Sequence, residues 1–248
     1  MRLVSLLLAT LLLASCATTS TDPTEGWSAA KLYSEAKDNL NQSNYEQAIN
    51  YFETLEARYP FGRYAQQAQL EIAYAYYKYD EPDSAIAAAD RFIKLNPRHP
   101  HVDYAYYLKG LVNFSRGRSF MDRFIPKDPS DMDPKPLNQS FADFSTLVQR
   151  FPNSRYAPDA RQRMIFLRNE LAEYELKVAD YYVRRGAWLA VAKRSQYVLE
   201  NYPGAPVTPD ALALLTRAYK ELGMTDLERD TRRILELNYP EFAAERGK

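Results

Sequence analysis

The amino-acid sequence predicts an all-α protein, an α-solenoid of about five helical hairpins of the tetratricopeptide type. The composition favours helices, because only 8 of the 248 residues are glycine and Ala, Leu, Glu, Lys and Arg are common. Amphipathic stretches repeatedly end at a polar or aromatic residue followed by proline, at Tyr59-Pro60, Asn96-Pro97, Phe151-Pro152, Tyr202-Pro203 and Tyr239-Pro240. Two of the intervals between these prolines are 37 residues, close to the tetratricopeptide period of about 34 residues.

The first 15 residues read as a secretory signal and not as part of the fold. Arg2 precedes an apolar run from Leu3 to Leu13, which has about half the length of a membrane-spanning helix. The residues that follow resemble the lipobox of bacterial lipoproteins, whose cysteine carries diacylglycerol and fatty acyl groups. We therefore expect Cys16, the single cysteine, to be the lipid anchor and the only cofactor attachment point. The alternative is a chance cysteine beside an ordinary signal peptide.

Residues 16–28 are predicted to be the lipidated N-terminus and a flexible tether, because they are polar and contain Pro23 and Gly26. Removal of the signal removes Arg2 and leaves 31 of the 32 basic side chains against 32 acidic ones. With charges so balanced, no broad electric field favours nucleic acid, and contact with the membrane is expected through the lipid only.

The helical domain is predicted over residues 29–248, and its first two hairpins are the most regular. In each, small residues 12 positions apart mark where the paired helices touch, and an aromatic residue follows where the next hairpin packs. These residues are Ala36, Ala48 and Phe52 in the first hairpin, and Ala73, Ala85 and Phe92 in the second. Polar turns are predicted at 42–44 and 80–83. Two-helix repeats with longer units remain an alternative.

The later hairpins are less regular. The third starts at Tyr104, runs to about Arg116 and resumes near Pro136, since 116–136 carries too many turn formers for a helix. The fourth is predicted over 158–184 and 187–201, and the fifth over 209–240 with its turn at Leu222-Gly223. The hairpins divide into N-terminal repeats, about 29–152, and C-terminal repeats, about 153–240.

Stacked hairpins form an extended concave surface, which suits the binding of other polypeptides better than catalysis. The first helix of each hairpin lines this surface in tetratricopeptide proteins. The residues predicted to bind a substrate peptide there are Tyr33, Gln67, Leu70, Tyr74, Tyr77, Tyr107 and Phe114. The chain has 20 tyrosines, whose apolar ring and polar tip suit recognition of extended chains. The alternative is that these aromatic rings pack between helices.

A second candidate surface lies in the fourth hairpin, where arginines surround a tryptophan. Arg185, Trp188 and Arg194 are predicted to contact a protein partner, because exposed tryptophan and arginine often dominate interfaces. The charge of Arg194 is expected to face solvent or that partner. The alternative for Trp188 is that its ring simply fills the turn of the hairpin.

The sequence contains no convincing catalytic or metal site. His99 and His101 lie in a proline-rich turn without other ligands nearby, and Asp128, Asp131 and Asp133 lack the glycine and closing glutamate of a calcium loop. Phosphate-binding loops, nucleophile elbows and metalloprotease motifs are not found. We therefore expect a non-enzymatic protein without metal.

Several motifs together resemble the BamD family, also called the ComL or YfiO family, over the lipobox and all five predicted hairpins. They are Tyr59-Pro60-Phe61-Gly62-x-Tyr64, Ala75-Tyr76-Tyr77-Lys78, Asp90-Arg91-Phe92-Ile93-x-Leu95-Asn96-Pro97-x-His99-Pro100, Pro152-Asn153-Ser154-x-Tyr156 and Arg185-Gly186-Ala187-Trp188. The resemblance implies a lipoprotein on the periplasmic face of the outer membrane, and Ala17 after the lipobox implies sorting there.

By the same resemblance, the C-terminal repeats bind BamA in the BAM complex, beside other BAM lipoproteins. The N-terminal repeats receive unfolded outer-membrane proteins for insertion. Two alternatives stay open: a periplasmic repeat lipoprotein that regulates peptidoglycan enzymes, and a peptidoglycan enzyme or binder in its own right. The absence of an acid/base pair disfavours the enzyme.

Overall fold

The computed structural model describes residues 22–116 and 133–246 of the chain. In these two ranges every regular element is a helix, which confirms the predicted all-α fold. The helices are α1 (Ala29–Asn41), α2 (Tyr45–Arg58), α3 (Arg63–Lys78), α4 (Pro82–Leu95), α5 (Val102–Ser115), α6 (Pro134–Arg150), α7 (Ala157–Arg184), α8 (Trp188–Asn201), α9 (Thr208–Glu221), α10 (Thr225–Asn238) and α11 (Pro240–Arg246). None of the described helices is both long and apolar enough to cross a bilayer.

The chain forms two compact units, Met1–Ala68 and Gln69–Lys248, and the division falls inside α3. In the first unit α1 packs against α2, and in the second α5 packs against α6, α7 against α8 and α9 against α10. This succession of helical hairpins is the predicted solenoid repeat. The grouping of repeats around residue 152 remains a functional prediction, since the compact units divide elsewhere.

The repeated X-Pro pairs end their helices as predicted. Each residue before the proline is a helix C-cap with φ between −124° and −137°, namely Tyr59, Asn96, Phe151, Tyr202 and Tyr239. Proline disfavours helical backbone at the residue before it, because its ring crowds that residue, so a helix readily ends there. Each cap N–H still donates to the carbonyl four residues earlier, at 2.8–3.0 Å, and that residue is always a buried apolar one. Each X-Pro pair, together with the buried apolar residue four positions before it, therefore both ends the helix and attaches that end to the core.

The turns inside the hairpins share a second motif, a residue in the left-handed region. Ser43, Asp80, Gly186 and Gly223 have φ between 63° and 70°. In each turn the next N–H donates to the carbonyl five residues back, at 2.9–3.0 Å, which closes a Schellman motif. In two of these four turns the left-handed residue is not glycine but Ser43 or Asp80, although glycine is the residue that adopts this conformation without strain. The 117–132 connection of the third hairpin lies outside the described residues.

Because some turns have glycine at the left-handed position and others do not, substitutions at these positions should change the stability of the protein in opposite directions. Ser43→Gly should stabilise the protein by about 0.5–1 kcal/mol, and Gly186→Ala should destabilise it by about 1–2 kcal/mol. A Cβ at Gly186 would meet nothing within 4 Å, so the loss would come from the backbone alone. Thermal unfolding followed by circular dichroism measures both changes. A Ser43→Gly chain that melts below the wild type would contradict the assignment.

The small residues predicted to lie between paired helices are fully buried. Ala36 and Ala48 in the first hairpin, and Ala73 and Ala85 in the second, are each 0% exposed. The aromatic residues that follow, Phe52 and Phe92, are also 0% exposed and belong to the largest fully buried side chains. The twelve-residue spacing seen in the sequence therefore marks buried positions in both hairpins, and in the first hairpin the two helices are packed against each other.

The helices α5 and α6 approach each other closely at Gly110. A Cβ built on Gly110 would fall within 2.8 Å of the ring of Phe144, which is 0% exposed. The buried hydroxyl of Ser140 donates to the carbonyl of Gly110 at 2.9 Å. Gly110 is therefore required by packing and not by backbone conformation.

Part of the predicted tether of residues 16–28, the segment 22–28 before α1, makes specific contacts with the first hairpin. Arg58 of α2 pairs with Asp22 and donates to the hydroxyl of Thr24 at 2.8 Å, and Thr24 is only 4% exposed. The hydroxyl of Tyr59 donates to the carbonyl of Trp27 at 2.8 Å. These contacts hold residues 22–28 against the first hairpin, and Ser28 then caps α1.

The remaining helix limits differ little from prediction. α5 starts at Val102, two residues before the predicted Tyr104, and α6 already starts at Pro134 within the predicted irregular stretch. Proline fits this place because the first helical turn needs no donor from its nitrogen. The short α11 was not predicted, since Pro240 was taken as the end of the last repeat.

Candidate functional site

The predicted peptide-binding residues of the first unit are Tyr33 and Gln67. The ring of Tyr33 is half-buried, 5.8 Å from Phe52 and 5.5 Å from Tyr64 between centroids. Gln67 is exposed on α3. Tyr33 thus contributes to packing between helices, as the alternative interpretation proposed for such rings, while Gln67 is accessible.

In the second unit the predicted residues of α3 have two different roles. Leu70 packs against the buried cluster of Phe92, Val102 and Ala105, so its side chain belongs to the core. Tyr74 and Tyr77 are half-buried and lie 6.4 Å apart between ring centroids. The two tyrosines present a partly exposed aromatic edge one helical turn apart.

The predicted residues of α5, Tyr107 and Phe114, contact α7. The ring of Tyr107 stacks on Tyr156 at 4.8 Å, and its hydroxyl donates to Oδ2 of Asp159 at 2.6 Å. Burial and that hydrogen bond raise the pKa of Tyr107 to about 12. Phe114 lies 5.7 Å from Phe166, also on α7. Both predicted side chains remain half-buried and are held firmly in place.

Sequence reasoning missed Tyr104 and Tyr156, which join these residues into one group. Tyr104 lies 5.3 Å from Tyr156, and burial raises its pKa strongly, with a further contribution from Tyr74. We call Tyr74, Tyr77, Tyr104, Tyr107 and Tyr156 the tyrosine cluster. A signal was present, because Tyr104 and Tyr156 each begin a Tyr-Ala pair four residues after a proline, Pro100 or Pro152. Both hydroxyls are protonated at neutral pH, as tyrosine hydroxyls ordinarily are, so both can donate hydrogen bonds.

The predicted partner residues in the fourth hairpin are only partly accessible. Trp188 packs against the cluster of Val191, Ala192, Leu215, Ala218 and Tyr219, and the guanidinium of Arg217 lies 5.0 Å from its ring centroid. The tryptophan therefore fills the hairpin, as the alternative proposed. Arg185 is exposed, with its guanidinium 4.4 Å from the ring centroid of Tyr181.

Arg194 pairs with a carboxylate of its own chain, and its side chain still reaches solvent. Its Nη1 donates to Oε2 of Glu175 at 2.7 Å. The Glu175 side chain is 11% exposed and that of Arg194 is 42% exposed. The hydrogen bond that Arg194 donates to Glu175 holds the pKa of Arg194 above its ordinary value. Arg194 thus neutralises a nearly buried carboxylate of α7 and keeps part of its guanidinium at the surface.

The residues weighed as metal ligands have structural roles. His99 accepts a hydrogen bond at Nδ1 from the His101 N–H at 3.1 Å and packs on the edge of Phe92. Asp133 caps α6 through the N–H of Lys135 at 3.0 Å. Residues 22–116 and 133–246 contain no group of three His, Cys, Asp or Glu side chains that could hold a metal ion. Cys16, Asp128 and Asp131 lie outside the described residues.

Comparison with known proteins agrees with the motifs. The pattern of a family described as "YfiO: Outer membrane lipoprotein" matches residues 26–234. The chain is 48% identical to "Outer membrane protein assembly factor BamD" of Neisseria meningitidis serogroup B, with 93% of the chain and 88% of the relative covered. It is 42% identical to the protein of that name from Vibrio cholerae, with 94% and 96% covered, and 40% identical to that from Xylella fastidiosa, with 99% and 85% covered.

These relatives are named as assembly factors and not as enzymes, in agreement with the prediction of a non-catalytic protein. Their identities, and a family match over most of the chain, confirm the resemblance noted in the sequence. The chain therefore belongs to the BamD, or YfiO, family of outer membrane lipoproteins.

Proposed function

We propose that the protein is a non-catalytic scaffold of the BAM complex in the assembly of outer-membrane proteins. In this proposal the N-terminal repeats bind unfolded outer-membrane proteins, and the C-terminal repeats bind BamA beside other BAM lipoproteins. A lipid on Cys16 anchors the chain to the periplasmic face of the outer membrane. The name of the relatives supports a role in outer-membrane protein assembly, and the description of the family supports a location at the outer membrane.

The tyrosine cluster is the observation that supports polypeptide binding most directly. Tyr74, Tyr77 and Tyr107 are half-buried, so each combines a fixed ring with accessible area. Rings fixed in advance lose little conformational entropy when a ligand chain settles on them. Extended substrate chains expose aromatic side chains and unpaired backbone groups, and tyrosine can contact both.

Arg185 supports the proposed BamA surface better than Trp188 does, since its guanidinium is exposed beside Tyr181. Leu189, the residue after Trp188, is 56% exposed and Tyr181 is 42% exposed. Apolar and arginine side chains that lie together at a surface are typical of interface centres. In the proposal, Arg194 also belongs to this surface. Its Nη1 is bonded to Glu175, and the solvent-exposed atoms of its side chain can contact BamA.

Crosslinking in membranes followed by affinity purification tests the two surfaces separately. Tyr74→Ala with Tyr77→Ala should reduce the capture of unfolded outer-membrane proteins roughly tenfold and leave BamA unchanged, since interface aromatic residues often contribute more than 1 kcal/mol each. Arg185→Glu should give the opposite pattern. Tyr197→Ala, an exposed tyrosine outside the cluster, is the matched control and should change neither.

Three outcomes would contradict the proposal. If the Tyr74 variant and the Arg185 variant lose copurification of BamA to the same extent, the two surfaces are not separate. Purification of peptidoglycan enzymes in place of barrel proteins and BamA would favour the regulatory alternative. An intact Cys16→Ser chain that stays with the outer membrane when BamA is absent would exclude the lipid as the anchor.

A further inference from the structure

An arginine at the edge of the tyrosine cluster is held in a fixed orientation. Nε of Arg163 on α7 donates to Oδ2 of Asp159 at 2.6 Å. The guanidinium also lies 4.7 Å from the ring centroid of Phe114 on α5. A salt bridge one turn away and a ring face together restrict a side chain that is otherwise among the most mobile.

Most of the hydrogen-bonding capacity of Arg163 is unused. A guanidinium has five N–H donors, and Asp159 takes the one on Nε. Tyr107 is a second polar side chain that interacts with this group, and its single oxygen can take one more donor. At least three N–H groups therefore remain, and 29% of the side chain is exposed.

The surroundings of Arg163 combine apolar area with positive charge. Ile165 and Phe166, on the same helix, are 53% and 36% exposed, and Phe166 lies 5.7 Å from Phe114. A second arginine, Arg155, places its guanidinium 5.4 Å from the ring centroid of Tyr156. Apolar side chains beside a guanidinium exclude water and strengthen its hydrogen bonds to a charged acceptor.

We propose that Arg163 is a carboxylate-binding residue, and that the ligand is an extended polypeptide which places an apolar residue on Phe114, Ile165 and Phe166. The inference rests on the proposed polypeptide-binding function of the same face. Of the common acceptors, a carboxylate matches the planar fork of a guanidinium and forms the strongest hydrogen bonds with it. The carboxylate can belong to an aspartate or glutamate side chain or to the C-terminus of the ligand chain.

Three short fluorescent peptides test the inference by anisotropy with the purified chain. The first alternates aromatic residues with threonine and is acetylated and amidated, so that it carries no charge. The second replaces one central threonine with aspartate, and the third leaves the C-terminal carboxylate free. The wild-type chain should bind the second or the third about tenfold more tightly than the first, and the stronger of the two identifies the source of the carboxylate.

Arg163→Gln should abolish this preference and change binding of the neutral peptide by less than about twofold. Arg163→Lys, which keeps the charge but not the planar fork, should retain only part of the preference. Arg161→Gln is the matched control, because it removes the same charge from an exposed position on the same helix. This control should bind all three peptides as the wild type does.

Two results would overturn the inference alone. One is a wild-type chain that binds the neutral and charged peptides equally, and this result does not depend on the folding of any variant. The other is an equal loss in Arg161→Gln, which would reduce the effect to overall charge. If no peptide binds the wild-type chain at all, the proposed polypeptide-binding surface fails together with the inference.

Discussion

Gly110→Ala should destabilise the protein by about 3 kcal/mol, although alanine is the better helix former by about 1 kcal/mol. The added methyl group would overlap the ring of Phe144, which is fully buried and cannot swing into solvent. Separating α5 from α6 would also stretch the 2.9 Å hydrogen bond from Ser140 to the carbonyl of Gly110. Denaturant unfolding measures the loss.

A double-mutant cycle shows whether the overlap is the cause. Phe144→Leu by itself should destabilise the protein, because it leaves a cavity beside Leu147 and Leu167. Combined with Gly110→Ala, it should cost clearly less than the sum of the two single changes, since the smaller side chain makes room for the methyl group. Simple additivity would show that Gly110 is required for another reason.

Arg194→Glu should destabilise the second unit by about 2 kcal/mol. The change replaces the 2.7 Å ion pair with two carboxylates at the same place, one of them the nearly buried Glu175. Loss of one partner of a fully buried pair costs about 3–5 kcal/mol, and the 42% exposure of Arg194 reduces that figure. Poor copurification of this variant with BamA would therefore not by itself demonstrate a lost interface contact.

The pH dependence and a second variant separate the two causes. Repulsion raises the pKa of one carboxylate above its value in the unfolded chain, so the penalty is present at neutral pH and shrinks as pH falls toward 4. Adding Glu175→Gln to Arg194→Glu should restore most of the stability, because a single carboxylate remains. If the stable double variant still fails to bind BamA, Arg194 contacts BamA directly; if it binds normally, the role of Arg194 is structural.

The fold could be predicted from the sequence because its determining motifs are local. Each X-Pro pair and each Schellman turn lies within about six residues, so the helix ends at Tyr59 or Phe151 were readable without tertiary information. Ala36 and Ala48 were identified in the same way, since a repeat fixes which helices touch. The short α11 was missed because proline can begin a helix as well as end one.

The candidate site could be predicted less completely, because its key contacts join distant residues. Tyr107 and Asp159 are 52 residues apart and Glu175 and Arg194 are 19 apart, so spacing along the chain does not reveal either pair. Exposure also depends on neighbours that only the fold brings together. Trp188 was expected to be a contact residue, yet Arg217 covers its ring from the next hairpin.

The docking of residues 22–28 onto the first hairpin limits how far the protein can stand from a bilayer. With the lipid on Cys16 as proposed, the segment that connects the lipid to the fold runs only from Cys16 to Asp22, because Arg58 pairs with Asp22. Fully extended, the segment from Cys16 to Asp22 spans about 20 Å, whereas a free segment from Cys16 to Ser28 would span about 40 Å. The first hairpin would therefore remain close to the lipid headgroups, within reach of chains about to enter the membrane.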